Sequence, residues 1–157
     1  MSVKLLPFYL FCCILFFFSC EEENEPVPIL RLLDVSAVEF LHQGQDSFFV
    51  KIGFKDNDGD LGNNFSDNIF IYDGRTDSLY ASYQLPSFMQ TSTGLIKEGE
   101  FRFKLYSPCC FQRLRPACDS ISRNQVQAMT FKITMQDNAG NISQAIETDS
   151  IYLTCTH

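Results

Sequence analysis

The stretch Phe48-Phe49-Val50-Lys51-Ile52-Gly53-Phe54-Lys55 alternates with a period of two. Phe48, Val50, Ile52 and Phe54 fall on one face of an extended chain, and Phe49, Lys51, Gly53 and Lys55 on the other. Successive side chains of a strand point to opposite faces, so this is a strand with one face in a core and one toward water. The pattern returns further along. Met129, Phe131, Ile133 and Met135 alternate with Thr130, Lys132, Thr134 and Gln136, and Phe101, Phe103 and Leu105 alternate with Arg102, Lys104 and Tyr106. Further strands are expected over residues 29–38, 68–72, 79–85 and 145–155. No long segment carries helical spacing between capping signals.

About seven short strands in roughly 125 residues predict an all-β fold, an antiparallel sandwich of immunoglobulin-like type. A small barrel or jelly roll is the alternative. With 16 Phe and no Trp, the core is expected to be rich in phenylalanine, and the buried Trp of antibody domains is missing. The reading therefore rests on strand number and pattern. One domain, residues 29–157, accounts for all the strands, and residues 85–99 and 107–124 read as long loops.

The chain upstream is of another kind. Lys4 precedes an apolar run over residues 5–18, and Glu21, Glu22 and Glu23 follow it. A membrane-spanning helix needs about 20 such residues, so residues 1–19 read as a signal peptide. Phe17-Phe18-Ser19-Cys20 resembles the lipobox of bacterial lipoproteins, although Phe17 stands where that family prefers an aliphatic residue. The resemblance implies that Cys20 carries a diacylglycerol thioether and begins the mature chain. An ordinary secretory cleavage, leaving Cys20 an incidental thiol, is the alternative. Residues 20–28 hold Glu21, Glu22, Glu23, Glu25, Pro26 and Pro28 and read as a stiff acidic tether. Acidic residues directly after the cysteine also resemble the signal that sends some outer-membrane lipoproteins to the outer face. That implies a lipid-anchored domain facing the cell exterior, with the periplasmic face as the alternative.

The net charge of −7 provides no electrostatic footprint for nucleic acid and suits cations. Seven cysteines occur. Cys12 and Cys13 lie in the signal peptide and Cys20 at the anchor, leaving Cys109, Cys110, Cys118 and Cys155. An even number in an exported chain favours disulfides. A bond between the adjacent Cys109 and Cys110 is strained, so Cys118 is expected to pair with one of them and Cys155 with the other. A zinc site made from these thiolates with His157 is the rival, but paired Cys-x-x-Cys knuckles are lacking.

The most chemically loaded stretch is Asp56-Asn57-Asp58-Gly59-Asp60-Leu61-Gly62-Asn63-Asn64. Hard oxygen donors on a glycine-bent backbone suit calcium, which takes six to eight of them. The spacing resembles an EF-hand loop, with Asp56, Asp58 and Asp60 at its first, third and fifth places and Asp67 at its twelfth. The glycine stands at Gly59, one place before Asp60, Leu61 occupies the sixth place, and no flanking helices are apparent. A sandwich loop using the same chemistry is the better expectation. Asp137-Asn138-Ala139-Gly140-Asn141 forms a second turn, and in a sandwich the two loops emerge at one end. The expected ligands of a structural calcium are Asp56, Asp58, Asp60, Asp137 and Asn141. The plainer alternative is that Asp, Asn and Gly are turn formers.

Phe-Lys-Asp-Asn-Asp-Gly-Asp-Leu-Gly over residues 54–62 and Met-Gln-Asp-Asn-Ala-Gly-Asn-Ile-Ser over 135–143 resemble stretches of exported bacterial immunoglobulin-like domains. Together with the lipobox, the chain is similar to small bacterial surface lipoproteins. The resemblance implies fold and location, not activity. His42 and His157 are the two histidines, and no nucleophile elbow or phosphate loop occurs. Glu98 and Glu100 read as solvated charges rather than a glycosidase pair. No catalytic residue is expected. The expectation is a binding module for an envelope protein or a glycan, the latter using Tyr80, Tyr83 and Phe88, or else a structural subunit of an envelope assembly.

Overall fold

The computed structural model describes residues 26–36, 40–62, 65–85, 90–91, 94–95, 97–112, 115–116, 118 and 125–155. The stretch expected to be a signal peptide, Cys20, the acidic part of the expected tether, Phe88 and His157 lie outside them. Among the described residues there is no helix. β1 (Ile29–Val35), β3 (Ser47–Lys55) and β8 (Glu98–Tyr106) form an antiparallel sheet in the order β1-β3-β8. β4 (Ile69–Asp73), β5 (Ser78–Tyr83), β12 (Phe131–Met135) and β13 (Ile146–Glu147) form a second, in the order β13-β12-β4-β5. β2 (Leu41–His42), β11 (Val126–Met129) and β14 (Ile151–Thr154) form a third, in which β2 runs parallel to β14. Two short ribbons, β6 (Gln90–Thr91) with β7 (Gly94–Leu95) and β9 (Phe111–Gln112) with β10 (Arg115–Pro116), lie within the stretches expected to be loops.

The period-2 pattern fixes which faces meet. Phe48, Val50, Ile52 and Phe54 of β3 are buried, as are Phe131, Ile133 and Met135 of β12 and Ile69 and Ile71 of β4. Phe48 and Tyr80 pack on Phe131 with ring centroids 5.9 and 5.2 Å away, and Tyr83 packs on Phe103 at 5.2 Å. The first two sheets thus close face to face over an aromatic core, as in a β-sandwich. Tyr80 and Tyr83 then pass their hydroxyls to the backbone carbonyls of Tyr106 and Lys104. Those carbonyls lie on the outer edge of β8, so the two tyrosines cap an edge strand.

Two expected strands are divided. The alternating run at residues 129–136 breaks at Thr130 into β11 and β12, which belong to different sheets. The Thr130 carbonyl accepts from Gly74 N at 2.9 Å, one pair beyond Phe131 and Asp73 in the β4–β12 register, and so already belongs to the second sheet. A Cβ at Gly74 would sit 2.8 Å from that carbonyl oxygen, so only glycine permits the approach. The run at 145–155 breaks between β13 and β14. There Thr148 exchanges bonds with Phe131, its N donating to the Phe131 carbonyl and its Oγ1 accepting from Phe131 N.

Cys109 is bridged to Cys118 and Cys110 to Cys155, with Cα separations of 4.9 and 5.7 Å. Each of the adjacent cysteines takes one distant partner, as expected, and the thiolates that a zinc site would need are consumed. Arg75 braces this corner. Its guanidinium pairs with Asp73 at 2.6 Å, donates to the Cys109 carbonyl and lies 4.4 Å over the Phe111 ring.

Candidate metal centre

β3 delivers Asp56 one residue past its end, and β12 delivers Asp137 two residues past its end. Both strands run toward the same end of the sandwich, so both loops emerge there. The loop after β3 turns back through two glycines of positive φ, Gly59 at 75° and Gly62 at 100°, a region costly for other residues. The turn brings Asp60 back beside Asp56. Carboxylate oxygens of Asp56, Asp60 and Asp137 then lie within 4.8 Å of one another.

The two loops are sewn together by Asn138. Its Nδ2 donates to the Gly62 carbonyl at 2.8 Å and also to the Asp60 carbonyl. Asp137 is held from its own turn: Asn141 N donates to Asp137 Oδ1 at 2.7 Å, and Asn141 Nδ2 to Asp137 Oδ2 at 2.8 Å. Asp56 Oδ2 accepts from Leu61 N at 3.2 Å. Asp56 is only 1% exposed, and its Oδ1 and that of Asp60 are buried without a hydrogen-bond partner. Buried carboxylate oxygens left unpaired are costly. Removal from water and the charge of Asp58 raise the Asp56 carboxyl from its ordinary 3.8 to about 6. Burial and the charges of Asp137 and Asp58 likewise raise Asp60. Three acidic groups held close, two of them with a buried oxygen that has no hydrogen-bond partner, are donors of the kind a hard divalent cation takes.

Of the five expected ligands, Asp56, Asp60 and Asp137 converge. Asp58 lies outside that group; its charge acts on Asp56, and it lines an open depression with Pro26, Asn57 and Lys97. Asn141 serves as a hydrogen-bond donor that orients Asp137. Asp67, the twelfth place of an EF-hand reading, instead accepts from the Ser82 hydroxyl. The loop is therefore not an EF-hand. Asn138 is the residue that sequence reasoning did not single out, because an Asn in a turn gives no sign of a bond to a loop 76 residues away.

Other chemistry-bearing residues are otherwise engaged. His42, Asp46 and Ser107 come together at the turn before β3. The Ser107 hydroxyl donates to the His42 carbonyl at 2.6 Å and accepts from Asp46 N at 3.1 Å, while Asp46 takes His42 N at 2.6 Å and His42 Nδ1 at 3.0 Å. The bond from His42 N holds the Asp46 carboxyl below its ordinary range. With its oxygen committed to backbone groups, Ser107 clamps a turn and is not an activated nucleophile. Glu100 pairs with Lys51 across the outer face of β8, and Glu98 stands opposite Lys55. Tyr80 and Tyr83, considered for a glycan platform, turn inward onto Phe131 and Phe103 instead.

Comparison with protein-family models, with curated proteins and with solved structures finds no match for this chain.

Proposed function

We propose that the chain is an exported, lipid-anchored module whose immunoglobulin-like β-sandwich is stabilised by a calcium ion between the loops after β3 and β12. The observation that carries this is the convergence of Asp56, Asp60 and Asp137, with the Asp56 and Asp60 Oδ1 atoms buried and unpartnered. Asp56, Asp60 and Asp137 would hold the ion, Asn141 would orient Asp137, and Asn138 would keep the two loops in register. The ion would neutralise the mutual repulsion of the carboxylates and lock one end of the sandwich. Its role is structural, and the protein acts as a binding or accessory module of the cell envelope rather than as an enzyme.

The two disulfides support an oxidising compartment, where such bonds persist. The lipobox-like Ser19-Cys20 and the acidic tether support anchoring at the outer membrane. The test is a thermal melt of the mature protein in chelator and after calcium is restored. At a calcium level about 100-fold above Kd, linkage predicts roughly 2.7 kcal/mol of added stability, which raises Tm by several degrees. A Tm and native mass indifferent to both treatments refute the metal. Intact-mass analysis showing an unmodified Cys20 refutes the anchor.

A further inference from the structure

The chain enters the fold beside the carboxylate loops. Ile29, the first residue of β1, is registered against Lys55, the last of β3. Three residues earlier, Pro26 lines the depression formed with Asn57, Asp58 and Lys97. Pro26 stands only six positions after Cys20, a reach of about 20 Å at full extension. The opposite end of the nine-residue β3, where the disulfides lie, is about 27 Å further along the strand. A lipid on Cys20 therefore keeps the carboxylate end close to the bilayer.

That end also carries exposed apolar side chains. Phe65, in the loop between β3 and β4, is 97% exposed; Ile142, in the turn after β12, is 58% exposed; Ile29 is 55% exposed. Two of these residues stand on the loops that contribute the carboxylates. Exposed apolar residues such as Leu79 and Val126 also occur elsewhere on the surface and are ordinary when scattered; Phe65, Ile142 and Ile29 differ in lying at the end where the tether leaves. Without a cation, Asp56, Asp58, Asp60 and Asp137 would repel an anionic headgroup layer.

We infer that this end of the domain is a calcium-dependent lipid-docking surface, with Phe65 and Ile142 entering the boundary between headgroups and acyl chains. The inference rests on the anchor and cation readings above. It commits to a bilayer because the tether leaves at this end and is short. Apolar tips seated in that boundary add to the hold of an acyl anchor, while a bound divalent ion offsets part of the carboxylate charge. The disulfide end is then the end presented outward.

The test uses the mature lipidated chain in vesicles of phosphatidylcholine with a minority of phosphatidylglycerol. Phe65→Cys, Ile142→Cys and Leu79→Cys variants each carry an environment-sensitive fluorophore, and the vesicles contain a lipid-borne quencher. Leu79 is the control, being 56% exposed but at the far end of the second sheet. In calcium, labels at positions 65 and 142 should be quenched at least roughly threefold more than the label at 79, and chelator should abolish the difference. Equal quenching at all three positions, or no quenching at 65 and 142 while the chain stays vesicle-bound, overturns the docking surface. So does a change at 65 and 142 that appears without vesicles and grows with protein concentration, which marks a second copy as the occupant. If the intact mass shows no lipid on Cys20, the anchor fails separately; flotation of the unlipidated chain with vesicles in calcium, weakened by a Phe65→Ser/Ile142→Ser double variant, then still supports docking, and its absence refutes it.

Discussion

Replacing Asp56 by Asn should stabilise the domain in chelator and destabilise it, relative to the native chain, in calcium. The sign follows from what surrounds the carboxylate. Asp56 is 1% exposed, one of its oxygens has no partner, and its pKa is pushed up to about 6. Raising a carboxyl from 3.8 to about 6 places roughly 3 kcal/mol on its charged form at neutral pH. Asn removes the charge and keeps an oxygen for the Leu61 N–H, so metal-free stability should rise by about 1–3 kcal/mol. The same exchange deletes one of the three converging carboxylates that would hold the proposed ion. The native chain should gain about 2.7 kcal/mol from calcium at 100-fold over Kd, and the variant little or none. Urea titrations at neutral pH, with chelator and with calcium, read both effects. A pH series in chelator adds a second reading. A carboxyl that titrates higher folded than unfolded contributes stability below the unfolded value of 3.8, and that stability is lost as pH rises through about 6. Native stability should therefore decline across that window and the Asp56→Asn variant should decline less. If Asp56→Asn is the less stable chain in chelator, or if the order of the two chains is the same in both buffers, the reasoning is refuted.

Asn138→Ala removes both side-chain bonds between the loops and should cost about 1–3 kcal/mol and weaken calcium affinity, as read by titration calorimetry. Removing the Cys110–Cys155 bridge with paired alanines should cost about 4 kcal/mol by loop entropy, against about 2.6 kcal/mol for the shorter Cys109–Cys118 loop; urea midpoints of the two double variants give the order. Phe131→Ala takes away a fully buried ring that packs on Phe48 and Tyr80 and should cost about 3–5 kcal/mol in the same assay. Gly74→Ala forces a methyl against the Thr130 carbonyl and should lower Tm, whereas alanine at the exposed Thr76 should change it little.

The strand faces were legible in the sequence because burial on one side writes a period of two, and β3 and β8 lie where that period placed them. The breaks at Thr130 and at residues 148–150 were not. The apolar alternation continues through Met129 and Phe131 because both residues are buried, even though they serve different sheets. The signal that the chain changes sheets lies in Gly74, which makes room for Thr130 from 56 positions upstream. The candidate site was legible as chemistry rather than as geometry. Alternating aspartates gave the donor type, and the two loops after strands gave the shared end. Which carboxylates turn inward depends on the φ of Gly59 and Gly62 and on the Asn138 bridge, and residue type alone does not encode that choice. Cysteine pairing was narrowed by the strain of an adjacent bond, but only the positions of the strand ends decide that Cys110, not Cys109, faces Cys155.

The tyrosine hydroxyls seated on the Tyr106 and Lys104 carbonyls bear on how copies of this domain meet. Nine residues of open strand would offer a neighbouring chain a template for a continuous intermolecular ladder. With two acceptors at one half of that strand already satisfied from within, an incoming strand would gain fewer bonds there than it gives up to water. On a chain anchored as proposed, confinement to a surface would raise the frequency of such encounters, and the capping would act as an aggregation gatekeeper. Tyr80→Phe and Tyr83→Phe, which leave the rings and the core in place, are the substitutions through which that protection would first be lost.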